Sequence, residues 1–176
     1  MILIIAGPSG SGKTTVGAML AGRLHWTFAD ADSFHPAGNI AKMREGHPLT
    51  DEDRWPWLAA ISAWMDERIA AGESAVITCS ALRRAYREKL LAGRPEARMV
   101  FLLADRETLA SHLTSRHGHF FPQDLLDSQL ADLEVPQGEE NVIVVSPTGS
   151  PGETVEKIMT VLAPGGDPPD PPATPR

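Results

Sequence analysis

The eight residues Gly7-Pro8-Ser9-Gly10-Ser11-Gly12-Lys13-Thr14 constrain this chain more than any other stretch. They follow an unbroken apolar run, residues 1–6, and lead into a helix-compatible segment, residues 16–24. An apolar run without polar alternation reads as a central parallel strand buried on both faces. A strand, a glycine-rich turn with GxxxxGK[ST] spacing and a helix, in that order, aim backbone N–H groups at one point before a helix N-terminus. Phosphate oxygens fit there. Lys13 is the side chain to reach the β- and γ-phosphates, and the Thr14 hydroxyl is the one to sit on Mg²⁺. The stretch is therefore expected to hold a nucleoside triphosphate through Gly7, Ser9, Gly10, Ser11, Gly12, Lys13, Thr14 and Thr15.

The chain around this loop is of an ordinary globular kind. Its 176 residues suit one domain, with 42% hydrophobic and 22% charged residues. A net charge of −7 speaks against a broad nucleic-acid or membrane surface, while leaving room for a small basic pocket. The lone cysteine, Cys79, excludes an internal disulfide and fits a reducing compartment. The apolar start is too short for a secretory signal, and no stretch is long enough to cross a bilayer. A cytoplasmic protein is expected.

Strand-like runs at residues 1–6, 26–29, 75–79, 99–103 and 142–145 alternate with helical patterns. That alternation predicts an α/β fold, a three-layer, doubly wound, parallel five-stranded sheet flanked by helices. Thr50 and Asp53 form a capping-box pattern for a helix ending near Gly72, with Trp55, Leu58, Ser62, Met65 and Ile69 on its core face. Ser150, Pro151 and Glu153 open the last helix in the same way. Residues 1–163 are read as the folded domain, with a helical lid at about 117–134. The proline- and glycine-rich residues 164–176 are read as a flexible tail.

In such sheets ligands gather beyond the carboxyl ends of the strands. Asp30 and Asp32 follow the second strand at alternate spacing. Phosphoryl transfer to a hydroxyl needs a carboxylate near the acceptor oxygen and help with the metal. Asp32 is assigned as the acceptor-side base and Asp30 as a metal partner through water. The third strand ends without an aspartate, which favours Asp30 for that task and disfavours a GTPase or motor. Arg54, Arg83, Arg84 and Arg87 cluster near the acceptor edge, where a guanidinium matches a carboxylate in two parallel hydrogen bonds. Arg87 is read as part of a solvated helix face, and Lys42 and Lys89 as surface charges, with Lys42 also able to reach a substrate. Arg116 is the last cation before Lys157. At the root of a lid it meets either the γ-phosphate or the adenine ring, and the sequence leaves both open. His117 and His119 lack a third ligand for a metal. His35 is placed for a hydrogen bond to an acceptor hydroxyl. The tryptophans at 55, 57 and 64 are read as core.

The chain resembles the bacterial-type gluconokinases, in the shikimate-kinase-like group of P-loop kinases. The resemblance rests on the phosphate loop, on Asp30-Ala31-Asp32-Ser33-Phe34-His35-Pro36 with Asn39-Ile40, and on Pro48-Leu49-Thr50-Asp51-Glu52-Asp53-Arg54. Cys79-Ser80-Ala81-Leu82-Arg83-Arg84 and Arg116-His117-Gly118-His119-Phe120-Phe121 complete it. It covers residues 1 to about 162. It implies ATP- and Mg²⁺-dependent phosphorylation of D-gluconate at its terminal hydroxyl, and a homodimer. It places Lys13 and Thr14 on the nucleotide and Mg²⁺ site, Asp32 on the base position, and His35 with Arg54 on the acceptor site. With the reading of the residues, Lys13, Asp32 and Arg116 are assigned to catalysis, and Arg116 also to the nucleotide. Asp32, His35, Arg54, Ser80, Arg83 and His119 fall on the acceptor. An anionic polyol asks for an arginine and several hydrogen-bonding groups. Lysines often seen after Cys-Ser-Ala-Leu in that family are arginines here, and the tail has no counterpart. A shikimate kinase would carry a glycine triplet where Cys79-Ser80-Ala81 stands. A regulatory module without turnover would have lost Lys13, Asp32 or the lid cation.

Overall fold

The computed structural model describes residues 1–117 and 123–164. Its strands are β1 (Ile2–Ala6), β2 (Thr27–Asp30), β3 (Ala75–Cys79), β4 (Ala97–Leu102) and β5 (Val142–Val145). The helices among the described residues are α1 (Lys13–Leu24), α2 (Ala37–Arg44), α3 (Asp51–Ala70), α4 (Arg84–Leu91), α5 (Arg106–His117), α6 (Gln123–Asp132) and α7 (Pro151–Leu162). The strands run parallel in the order β2-β3-β1-β4-β5.

β1 is central and buried throughout, as its uninterrupted apolar sequence predicts. Its alternate side chains build two cores. Ile2 and Ile4 pack with Leu58 and Ile61 of α3 and with Leu90 of α4. Leu3 and Ile5 pack on the opposite face with Val16 and Leu20 of α1 and with Val155 and Ile158 of α7. These are the two outer layers of the expected fold. α1 approaches the sheet closely at Gly17, where a Cβ would lie 2.7 Å from Thr78 Cγ2. A third, separate cluster joins Leu109 and Leu113 of α5 to Leu126 of α6. These two helices thus pack on each other and stand outside both main cores.

Both capping boxes form: Thr50 with Asp53 at α3, and Ser150 with Glu153 at α7. α3 runs unbroken through Pro56. Two expectations are corrected. Trp55 is 39% exposed, because one turn ahead of Leu58 its neighbour is the edge of the Tyr86 ring, 5.7 Å away, and not the sheet. Trp57 is the buried one, and its indole N–H donates to the Ala31 carbonyl at 2.7 Å. Arg87 does not belong to a solvated face. It is 1% exposed, and its charge is met by Glu139, itself 8% exposed on the side chain. A buried guanidinium is tolerable only when its donors are satisfied, and here they are.

Candidate active site

The loop between β1 and α1 has the conformation its glycines allow. Gly7 and Gly10 have φ of 140° and 84°, and a Cβ on either would lie within 2.7 Å of a backbone carbonyl, Leu102 O or Leu109 O. A side chain is thereby excluded at these two positions, and the loop leads into the N-terminus of α1. Ser11 Oγ is buried without a hydrogen-bond partner among the described residues. Beside the loop lies a cleft of about 390 Å³, whose lining includes Gly10, Ser11, Gly12, Thr15, His112, Pro147, Gly149 and Pro151. His112 Nδ1 lies 2.8 Å from Gly10 O and donates to it. A cleft that joins the glycine loop to proline and glycine surfaces suits a phosphate chain with a flat base attached.

Next to this loop, Gly7 N–H donates to Ser80 O at 3.2 Å, so the exit of β3 is tied to the exit of β1. Asp30 ends β2 in register with Thr78. Its carboxylate accepts from Asp32 N–H at 2.9 Å and caps the 3₁₀ turn Ala31–Phe34. The Asp32 residue is left exposed. The charges of Lys13, Asp32 and Asp30 all act on Cys79, so the structure brings these predicted residues together at one sheet edge. Burial pushes the Cys79 thiol up to about 12, so it stays protonated and takes no nucleophilic part.

His35 stacks on Trp57, with ring centres 4.3 Å apart and planes 10° apart. Asn39, 5% exposed, donates through Nδ2 to Asp53 O and faces His35 Nδ1 at 3.3 Å. An amide NH₂ only donates, so Nδ1 accepts and the neutral ring carries its proton on Nε2. Burial, aided by Arg54, lowers the His35 pKa below its usual value, and Asp32 opposes that shift only in part. The imidazole is neutral at pH 7.

The arginines of the acceptor edge form one closed circuit. Arg83 Nη2 donates to Asp132 Oδ1 at 2.7 Å, and Arg54 Nη2 to Asp132 Oδ2 at 3.2 Å. Arg54 Nη1 donates to the Tyr86 hydroxyl at 2.8 Å, which donates to Asp51. Arg83 Nη1 lies 3.5 Å from Asp51 Oδ2. Partial burial works against the Asp132 charge, but the hydrogen bond from Arg83 and the charge of Arg54 hold its pKa below the usual carboxylate value. Arg84 stands apart, paired with Glu88 on the surface. Lys42 pairs with Asp53 at 2.7 Å.

α6 spans both halves of the site. Gln129 Oε1 accepts from Ser9 N–H at 2.7 Å, and its Nε2 donates to Ser9 Oγ at 2.8 Å. Three residues on, Asp132 holds the arginine pair. At the end of the helix, Glu134 N–H donates to Leu82 O, and its carboxylate accepts from Arg84 N–H. His119 lies outside the described residues, as do Phe120, Phe121 and the side chains of Arg116 and His117. Residues 165–176, nearly all of the proposed tail, do so too.

A family model described as an AAA domain matches residues 2–136. A gluconokinase of Gluconobacter oxydans is 47% identical over 157 residues, covering 89% of this chain and 88% of its own. The chain belongs to the gluconokinase family. A crystal structure of a gluconokinase from Sinorhizobium meliloti superposes on this gluconokinase-family chain with a TM-score of 0.79 at 44% identity, covering 88% of this chain and 87% of that one. A shikimate kinase from Aquifex aeolicus, at 19% identity and a TM-score of 0.57, covers 92% of this chain and 96% of that one, and shares the fold.

Sequence reasoning missed several residues of this gluconokinase-family site. His112 lies on α5, 102 positions from the glycine it contacts, and nothing local marks it. Asp51 lies in one of the family motifs, where nothing local gives it a role, and Tyr86 lies two residues beyond another. Asp132 had one available signal: it lies three residues after Gln129, hence on the same helical face.

Proposed function

We propose that this chain transfers the γ-phosphoryl group of ATP to the terminal hydroxyl of D-gluconate, releasing ADP and 6-phosphogluconate. The observation that carries the acidic acceptor is the Arg54–Arg83 pair. It lies about one turn along α6 from the contact with the phosphate loop and already grips a carboxylate. Family membership supports the same substrate.

The residues divide the work. The amides of the loop and Lys13 cradle the phosphates, with the buried, unpaired Ser11 hydroxyl as a further donor. The cleft at His112 and Pro147 takes the base. Mg²⁺, when bound, neutralises phosphate charge; the Thr14 hydroxyl would hold it directly and Asp30 through water. Asp32 accepts the proton of the attacking hydroxyl. His35 Nε2–H, Ser80 and His119 hydrogen-bond the polyol, and Arg54 and Arg83 hold its carboxylate. Arg116 takes the γ-phosphate or the base. Residues 117–134 cover the site and exclude water. We place the protein in the cytoplasm as a homodimer. Among the described residues no helix is long and apolar enough to cross a membrane.

The product tests this reading. Material from ATP, Mg²⁺ and D-gluconate is offered to 6-phosphogluconate dehydrogenase. Stoichiometric NADPH is expected; ADP release without NADPH would place the phosphoryl group elsewhere on the acceptor.

His35 makes stability depend on pH. A histidine whose folded pKa lies below its unfolded value of about 6.5 binds protons more readily when unfolded. Its contribution is complete above pH 6.5 and shrinks as the pH falls toward the folded value. Urea midpoints at pH 7.5 and 5.5 are expected to differ more in the unaltered protein than in His35→Gln. Equal differences would mean His35 is not held neutral by its surroundings.

A further inference from the structure

The carboxylate gripped by Arg54 and Arg83 is the protein's own. Both Asp132 oxygens are used, one by each guanidinium. The outer nitrogens of Arg83 are divided between Asp132 and Asp51, and those of Arg54 between Asp132 and Tyr86. Each arginine thus commits one outer nitrogen to Asp132, whose negative charge offsets the positive charge that an incoming carboxylate would meet. Asp51 is tied into the start of α3 and accepts from Tyr86, so it is fixed in the main core layer. Asp132 is attached to α6, whose apolar contacts form the small cluster outside both main cores. Of the two carboxylates, Asp132 is the one that pairs with both arginines.

We propose that Asp132 is a positioning residue that acts as an internal competitor for the acceptor's carboxylate. It occupies the Arg54–Arg83 pair until an acidic acceptor displaces it. This rests on the proposed function, which assigns that pair to the acceptor. The apparent affinity for the acceptor is then lowered by the fraction of molecules in which Asp132 holds the arginines. A neutral acceptor has no charge with which to replace it. The competing reading makes Asp132 a prop that keeps the arginines in place, and the two predict opposite signs.

Asp132→Asn keeps size and hydrogen bonding but removes the competing charge. The KM for D-gluconate is expected to fall by about three- to tenfold, modest because the circuit is partly exposed. The KM for ATP should stay unchanged. The thermal shift produced by saturating D-gluconate should grow relative to the unaltered enzyme, because more of the ligand's interaction is then realised as stabilisation. Asp132→Ala serves as the second variant and should move in the same direction. A KM for gluconate that rises or does not change in both variants, with no larger thermal shift, would overturn the proposal and leave the acceptor assignment standing. No turnover or binding of gluconate by the unaltered enzyme would overturn both.

Discussion

Asp32→Asn is expected to lower kcat by about a hundred- to ten-thousandfold, the range of general-base catalysis, with ATP affinity nearly unchanged. The expectation follows from position. Asp30 spends one carboxylate oxygen on the Asp32 N–H, so that oxygen is committed to shaping the turn. Asp32 is left exposed at the same edge, within electrostatic reach of His35 and Cys79. Asparagine keeps the shape of the side chain and cannot take the proton. The loss should appear in kcat and in kcat/KM for the acceptor together, because the interaction develops only in the transition state. Steady-state rates and nucleotide titration on one preparation check it. Turnover within twofold of the unaltered enzyme would remove Asp32 from the chemistry.

Arg87→Leu is expected to cost about 3–5 kcal/mol of stability, the range for stripping one partner from a buried ion pair. For a domain of this size that is a fall in Tm of about 6–20 °C. Arg87 donates to both oxygens of Glu139 and to the carbonyls of Ala81, Leu82 and Glu134. Its removal leaves a nearly buried carboxylate and three carbonyls without that donor. The paired substitution Arg87→Leu with Glu139→Leu should recover much of the loss, since no lone charge remains. A kinetic effect should accompany it. Ala81 is held at φ 43°, a left-handed conformation uncommon for a residue with a Cβ, and Arg87 grips its carbonyl. That turn carries Ser80 and Arg83, so the surviving folded enzyme should show a raised gluconate KM. Thermal melts with and without Glu139→Leu test the energetics. A melt unchanged by Arg87→Leu would contradict the role of this hub.

Much of the fold was legible because its signals are local. The apolar runs located every strand to within two residues, and β3 and β5 coincide with their runs. Both capping boxes formed where the spacing put them. The phosphate loop is likewise one contiguous stretch, and its glycines take the conformations that only glycine adopts cheaply. What escaped was set by pairing across the chain. Arg87 looks solvated on a basic helix, and its partner Glu139 comes 52 residues later. Arg54 and Arg83 were assigned to an acceptor, but the carboxylate that holds them in the structure lies 78 and 49 positions away. Trp55 and Trp57 differ by two positions, and helical phase alone did not tell that only Trp57 meets the core, against Ala31.

The central claim is that the loop of Gly7 to Thr14 delivers a phosphoryl group to an acidic sugar held by Arg54 and Arg83. Its most direct test is the initial rate of ADP formation from ATP and Mg²⁺ against D-gluconate, other aldonic acids, shikimate and nucleoside monophosphates. The account predicts fast turnover on D-gluconate, with kcat/KM at least about a hundredfold above shikimate and the nucleotides, since a site built to pair specific polar groups rejects ligands that leave them unpaired. Silence on gluconate, with turnover on a nucleotide or shikimate, would contradict it.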